Sequence, residues 1–556
     1  MKNIIKTTIL SAAVLLGAAS CDDFLTVDPE DSLVRDNYYT SADMVRANTR
    51  SLYGCYQWYN FTQNFQWKLD ELVGDMYYTY DQEGQWFYGT YTNGNPYLNE
   101  GWKGLYNIVA LANSIISDMP GSASKSGVSD AAIQQGLAEA RCIRGIVYYL
   151  LAETWQNVPI ITNNSEMIAS GNIQSPRHTQ KSVYEFIKSD LEFAASVLKE
   201  SDAEEGRVTK WTALGMLAKL EVTMASHTDY GYDREALYTS AAAHAKQVME
   251  GIKTQPKELD YGTLFYPESN NGPESLFAIQ CMVYGYGYGN PRTVAWSRTN
   301  IADGSWGDGK GPTIGLQKLY DQQDKRRYHT FMQLNDYYPN LCVSDGGYTY
   351  KIVHYAADGT VDKERIPLNS HLRKYILGKS ADCNNQVGPS QDAANNIYIL
   401  RLSDVYMLYA EALMGTASST TNEAAIKAVD NIRERAGLGT IGSPLTYENL
   451  LKERRREFAM ESNNWFDIQR LAYREGKERA LAYLNANNGY NRNMVYQVKD
   501  GTPNTDAGMN NLDNYTMTLE NDNEIILPIS CFELPVPAAA LTNSPQLADA
   551  PVDYEF

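Results

Sequence analysis

Apolar positions along this chain recur mostly at helical spacing, and the clearest run lies in its last third. Leu402, Val405, Tyr406, Tyr409 and Leu413 fall on one face of a 3.6-residue repeat, and Gly415 closes it. Thr420 and Glu423 then form a capping box for a second helix, with Ala425, Val429 and Ile432 as its stripe and Gly437 as its stop. Two such helices joined by a short loop predict an antiparallel hairpin. A third helix is expected from Thr446, stapled by Leu445 and Leu450 and running through Leu451 and Phe458 toward Arg470. Thr40 with Asp43 predicts an earlier helix through Met44, Ala47 and Tyr53, and similar stripes cover 138–153, 183–198, 211–225 and 234–249. The fold class that follows is mainly α: an α-superhelical body with tetratricopeptide-like helix pairs, long aromatic-rich loops and little β structure. No strict 34-residue period is present.

Three segments break this rhythm. Residues 56–99, 281–313 and 336–374 are rich in Gly, Asn, Asp and aromatics and read as loops on a rigid scaffold, where function usually resides.

The first twenty residues carry Lys2 and Lys6, an apolar stretch from Ile9 to Leu16, and small residues up to Ser20, which together predict a removable secretory signal. The apolar stretch is shorter than the ~20 residues needed to cross a hydrocarbon core. Cys21 after these small residues resembles a bacterial lipobox, although Ala18 stands where Leu is usual, and the resemblance implies lipid attachment at Cys21. Asp22 and Asp23 resemble the acidic pair of surface lipoproteins in the Bacteroidota. Several acyl chains would give a stable anchor on the outer membrane.

A formal charge of −19 repels phosphate backbones and argues against a nucleic-acid partner. Beyond Cys21 the chain has Cys55, Cys142, Cys281, Cys342, Cys383 and Cys531, too sparse for a disulfide framework or a zinc site. The excess of tyrosine, 41 against 13 Phe and 9 Trp, suits half-wet surfaces as well as cores.

Blocks along nearly the whole mature chain are similar, in order, to the SusD/RagB family of surface nutrient-binding lipoproteins. They include Cys21-Asp-Asp-Phe-Leu25, Trp102 with Tyr106 and Asn113, and Glu139-Ala-Arg141 with Arg144 and Asn157-Val-Pro159. Further on stand Gly206-Arg207-Val-Thr-Lys210, Asp324-Lys-Arg326, Tyr409-Ala-Glu411-Ala412, Arg433-Glu-Arg435-Ala-Gly437, and Arg454-Arg455-Arg456-Glu457 with Trp465-Phe466-Asp467 and Arg470. Asn463 and Asn464 depart from the Gly and Arg common there. The resemblance implies a signal over 1–20, a lipidated tether over 21–40, and two helical halves, 41–260 and 261–556, packed as one body. It also implies a SusC-like TonB-dependent outer-membrane barrel as partner, to which an oligosaccharide, polysaccharide or peptide is handed.

The cluster of Arg455, Glu457, Asp467 and Arg470 mixes acids and bases in the way a catalytic site does. Its helical spacing fits a structural ion-pair network better, as do Glu139, Arg141, Glu411 and Arg433. Gly304 to Lys310 approaches a phosphate loop, but Gly311 replaces the Ser or Thr that would bind magnesium. Ser122-Ala-Ser-Lys125 has the SxxK spacing, within a segment read as a Pro-Gly-Ser loop. The six histidines form no HExxH, and no catalytic residue, metal or cofactor is expected.

Sugar rings present apolar C–H faces that stack on aromatics, while amides, carboxylates and Arg bond their hydroxyls. Two loops supply that mixture: Asp75, Tyr77, Tyr78, Trp86, Tyr88, Asn93 and Asn95 in one, and Tyr284, Tyr286, Tyr288, Arg292, Trp296 and Trp306 in the other. They are the candidates for ligand contact, with Tyr337, Tyr338, Tyr348 and Tyr350 as a weaker third group. A surface glycoside hydrolase remains an alternative, because its two carboxylates need closeness in space and not in sequence.

Overall fold

The computed structural model describes residues 38–171, 174–355, 358, 360–362, 370–492, 494–519 and 524–556. The signal, Cys21 and nearly all of the tether lie outside them. In chain order the principal helices are α1 (Ala42–Thr49), α2 (Cys55–Thr62), α3 (Gln66–Leu72), α4 (Asp81–Tyr88), α5 (Pro96–Lys125), α6 (Asp130–Trp155), α7 (Gln180–Val197), α8 (Lys210–Ser226), α9 (Arg234–Gly251), α10 (Leu402–Met414), α11 (Glu423–Arg435), α12 (Tyr447–Phe458), α13 (Asn463–Glu475) and α14 (Lys477–Arg492).

From α5 to α11 each of these helices packs on the next, so the hairpins form a continuous stack. α8 lies at its centre. It is largely apolar all round, its buried charges Lys219 and Glu221 paired with Asp404 and His244, and all its residues from Thr212 onward are buried, as expected of a helix with no solvent stripe. Gly215 lets the chain approach closely there, since a Cβ would stand 2.9 Å from Leu400 Cδ2 and push that side chain aside. One apolar cluster extends from Tyr39 to Leu547, and a second gathers Trp67 and Met76 with Trp296, Leu316 and Tyr375. The mainly α class holds, with β structure confined to two-stranded pairs such as Ser275–Ile279 with Ile397–Arg401.

Several expected boundaries move. Ser41, not Thr40, caps α1, its Oγ accepting from Met44 N at 3.3 Å, and α1 ends before Tyr53. Asn422, not Thr420, caps α11, because its Oδ1 reaches both Ala424 N and Ala425 N. Thr446 caps α12 as its sequence suggests. The helix expected to continue from there to Arg470 breaks after Phe458, where Met460 (φ 66°) and Ser462 (φ 65°) both enter the left-handed region. Segment 56–99 is not a loop but largely helical, since α2, α3 and α4 lie within it. Likewise Ser122 to Lys125 form the last turn of α5, which runs straight through Pro120 at the loss of one backbone donor.

Candidate functional site

The charged residues of the helical body pair with one another. Glu457 accepts from Arg435 at 2.6 Å and Arg401 at 2.9 Å, and lies 3.3 Å from Arg326. Arg470 meets Glu411 at 2.9 Å and Asp467 at 2.8 Å, and Arg433 meets Glu453 at 2.7 Å. Glu139 takes Arg207 at 2.6 Å, while Arg141 and Arg144 share Asp190. Burial pushes the Glu457 carboxyl up, but the surrounding arginines Arg435, Arg401 and Arg326 outweigh it and hold it at about 2. A carboxylate locked among three guanidinium groups has no free lone pair or proton for chemistry, and its work is to fix helices in register.

Several residues expected to face a ligand are inside. Asp75 is fully buried and accepts from Arg455 Nε at 2.7 Å. Trp86 is fully buried, stacked on Tyr91 at 4.4 Å and donating to Asn95 Oδ1 at 3.2 Å. Asn95 in turn caps α5. Trp296 lies edge-on to Trp67 at 5.9 Å in the second core, and Arg292 sits over both rings and donates to Gln66 Oε1. These five are framework: packing under the loops left no face for solvent. Tyr77 and Tyr88 are half-buried around Phe87, and Asn93 is exposed, its carbonyl accepting from Ala538 N at the start of the short helix Ala538–Asn543. In the weaker third group Tyr338 and Tyr350 are buried, while Tyr337 is exposed.

Two clusters of aromatics do reach solvent. In the first, Tyr284 and Tyr286 are 74% and 58% exposed, and Tyr288 stacks on Tyr56 at 4.8 Å with planes 19° apart. Tyr56 and Tyr59 lie on one face of α2, and Gln63, the residue that ends it, continues that face, at spacings of three and four residues. Tyr59 packs on Tyr286 at 5.2 Å, and Gln63 Nε2 reaches Tyr286 Oη and Gln391 Oε1. Asp392 Oδ2 accepts from Gly285 N at 2.6 Å and holds the loop down. Gly285 (φ 131°) and Gly287 (φ 88°) take backbone shapes that a side chain resists, which lets successive tyrosines point outward.

In the second cluster Tyr80 (56%) and Trp306 (43%) are exposed and Tyr78 is half-buried. Lys310 Nζ lies 3.6 Å from the Tyr78 ring centre and 5.5 Å from that of Trp306, and bonds Glu83 Oε1 at 2.5 Å. The lysine of the phosphate-loop-like stretch is thus a buried internal ion that braces aromatics. Glu83 also accepts from Trp67 Nε1 and pairs with Lys68. Burial raises the Glu83 carboxyl, but Lys310 and Lys68 pull it well below the usual carboxylate range. Tyr97, in the first turn of α5, joins the second cluster through Lys68, whose Nζ lies 4.4 Å from its ring centre and pairs with Glu83.

The loop aromatics were legible from composition; Tyr56, Tyr59 and Gln63 were not singled out, although their spacing on one helical face was a usable signal. Gln391 and Asp392 gave no signal, because they reach the site only through folding.

Known proteins resemble this chain over almost all of it. The family model described as SusD family matches residues 241–552, and a second, described as starch-binding associating with outer membrane, matches 23–222. A SusD-like protein of Bacteroides ovatus is 30% identical over 99% of this chain and 98% of its own length. A crystal structure determined with xylogluco-oligosaccharide aligns with a TM-score of 0.78 and 26% identity, covering 92% of this chain and 99% of that one. A laminarin-binding SusD-like protein shares the fold, with a TM-score of 0.64 at 20% identity over 92% of this chain and all of the other. Order of motifs, helical stack and full-length similarity agree: the chain belongs to the SusD family.

Proposed function

We propose that this chain is a cell-surface lipoprotein, anchored through Cys21, that binds an oligosaccharide or polysaccharide and delivers it to a TonB-dependent outer-membrane transporter without cleaving it. The observation that carries the reading is the open tyrosine cluster, in which the rings of Tyr56, Tyr284 and Tyr286 stand in solvent instead of filling the core and the half-buried Tyr288 stacks on Tyr56. Flat apolar faces beside amides and carboxylates match the two-sided chemistry of a sugar ring. Tyr80 and Trp306 supply a second exposed aromatic surface. Separate stacking positions favour a polymer, which engages several of them at once.

The description of the amino-terminal family match, and a lipobox-like Cys21 with no membrane-crossing helix among the described residues, support the surface location. The xylogluco-oligosaccharide and laminarin of the two related structures support a glycan as the ligand class. Electrophoresis of the purified protein through gels containing single soluble polysaccharides tests the reading. At least one polysaccharide is expected to retard the protein, and no reducing ends are expected to appear on prolonged incubation. Free migration through every glycan gel, or steady release of reducing ends, would overturn it.

A further inference from the structure

Cys55 and Cys281 stand next to each other in space although they are far apart in sequence. Gly54 and Gln280 form a parallel bridge, Cys55 N donates to Gln280 O at 2.9 Å, and Gln280 N donates to Tyr53 O at 2.9 Å. Each cysteine is the residue immediately after that bridge, which sets the two thiols within electrostatic reach of each other. Bridged backbones lie about 5 Å apart, within the roughly 4.4–6.8 Å between Cα atoms that a disulfide spans. Both are free thiols here: Cys55 Sγ donates to Gly289 O at 3.3 Å and Cys281 Sγ to Ile279 O at 3.6 Å. Neither bond is strong enough to hold a sulfur against covalent closure.

Their surroundings differ from those of a plain core cysteine. Arg292, fully buried, acts electrostatically on both thiols, and its Nε and Nη1 have no hydrogen-bond partner among the described residues. Burial and the neighbouring Cys55 push the Cys281 thiol well above its usual range, with Arg292 opposing them, so the thiol is the resting form and closure draws on the small thiolate fraction that attacks a disulfide. Cys281 is partly buried at the edge of the core, whereas Cys55 is 2% exposed, so an outside reagent meets Cys281 first.

We infer that Cys55 and Cys281 form a redox clip that closes into a disulfide once the chain is exported, tying α2 to the loop that carries Tyr284, Tyr286 and Tyr288. The oxidant is an external disulfide, RSSR. The Cys281 thiolate attacks it, forming a mixed disulfide and releasing RS⁻. The Cys55 thiolate then attacks the Cys281 sulfur and releases the second RS⁻. The two cysteine protons end on two RSH, the protein pair is oxidised and RSSR is reduced. Closure joins the two elements that build the first tyrosine cluster, and it stands whether or not that cluster binds a glycan.

The test is thiol mapping of the full chain after incubation in oxidised glutathione held in excess over the reduced form. The sample is denatured in acid, labelled with light N-ethylmaleimide, reduced, labelled with the heavy form and digested. Cys55 and Cys281 are expected to carry only the heavy label and, before reduction, to appear as one linked peptide; Cys142 and Cys531 carry the light label. The melting temperature of the oxidised chain should exceed that of the reduced chain, and Cys281→Ser should abolish the difference. Light label on both Cys55 and Cys281, or glutathione left on Cys281 and not displaced by Cys55, would overturn the clip.

Discussion

Glu153 shows how burial alone can set the chemistry of a side chain. It is fully buried at the end of α6, where Tyr184 Oη donates to its Oε1 at 2.5 Å and Gln180 Nε2 lies 3.5 Å away. Burial raises its carboxyl to about 7, against the pull of Tyr184, Arg470 and Lys219. The unfolded chain releases this proton near the ordinary glutamate value of about 4.3. The folded state therefore holds the proton more tightly, and the stability this gives is present at low pH and lost as pH rises toward about 7. Glu153→Gln removes the charge and keeps the shape. Thermal melts should show the variant more stable than the parent, with a gain larger at pH 8 than at pH 5; an equal gain at both would show that no raised carboxyl exists. Glu457 is the opposite case, buried as deeply but held at about 2 by its arginines. The sequence told these two residues apart only in part. The run Arg454-Arg455-Arg456-Glu457 announced an ion-pair network, whereas nothing near Glu153 in the chain foretells Tyr184 or Gln180 beside it. Trp86 and Trp296 mark the same limit, since an aromatic in a Gly- and Asn-rich stretch reads alike whether it faces water or the second core.

At the scale of elements, helices were readable where apolar spacing was regular and punctuation clear, as in α10, α11 and the start of α12. Punctuation by capping residues shifted by one or two positions, because Ser41 and Asn422 competed successfully with the neighbouring threonines. Aromatic-rich helices such as α2 escaped, since Tyr, Trp and Asn carry no strong helical preference and signalled loop by composition. The tyrosine loop after Cys281 depends on its glycines in a testable way. A Cβ at Gly287 would stand 3.2 Å from Tyr59 Cδ2 in a backbone with φ 88°. Gly287→Ala should cost on the order of 1 kcal/mol, lowering the melting temperature of so long a chain by about 1 °C and weakening glycan affinity together. Parental melting and affinity in that variant would show that the loop tolerates another path.

For the whole molecule, order of motifs carried more than any single one. The helical stack and the full-length similarity to SusD-like proteins agree with that order, and the family was visible in blocks from Cys21 to Arg470 before any geometry. The proposed ligand surface is visible in the sequence only as a mixture of residues. Folding then sorted the mixture, sending Asp75, Trp86, Asn95, Arg292 and Trp296 into the framework and leaving Tyr284, Tyr286 and Trp306 in solvent. Binding without cleavage at this exposed aromatic surface is the centre of the account. Its most direct test is calorimetric titration of the chain and of a Tyr284→Ala, Tyr286→Ala, Trp306→Ala triple variant with whichever polysaccharide retards the parent in gels. Aromatic contacts contribute about 0.5–1.5 kcal/mol each, so the variant should lose on the order of a hundredfold in affinity while keeping the parent's melting temperature. Parental affinity in a folded triple variant would contradict the account.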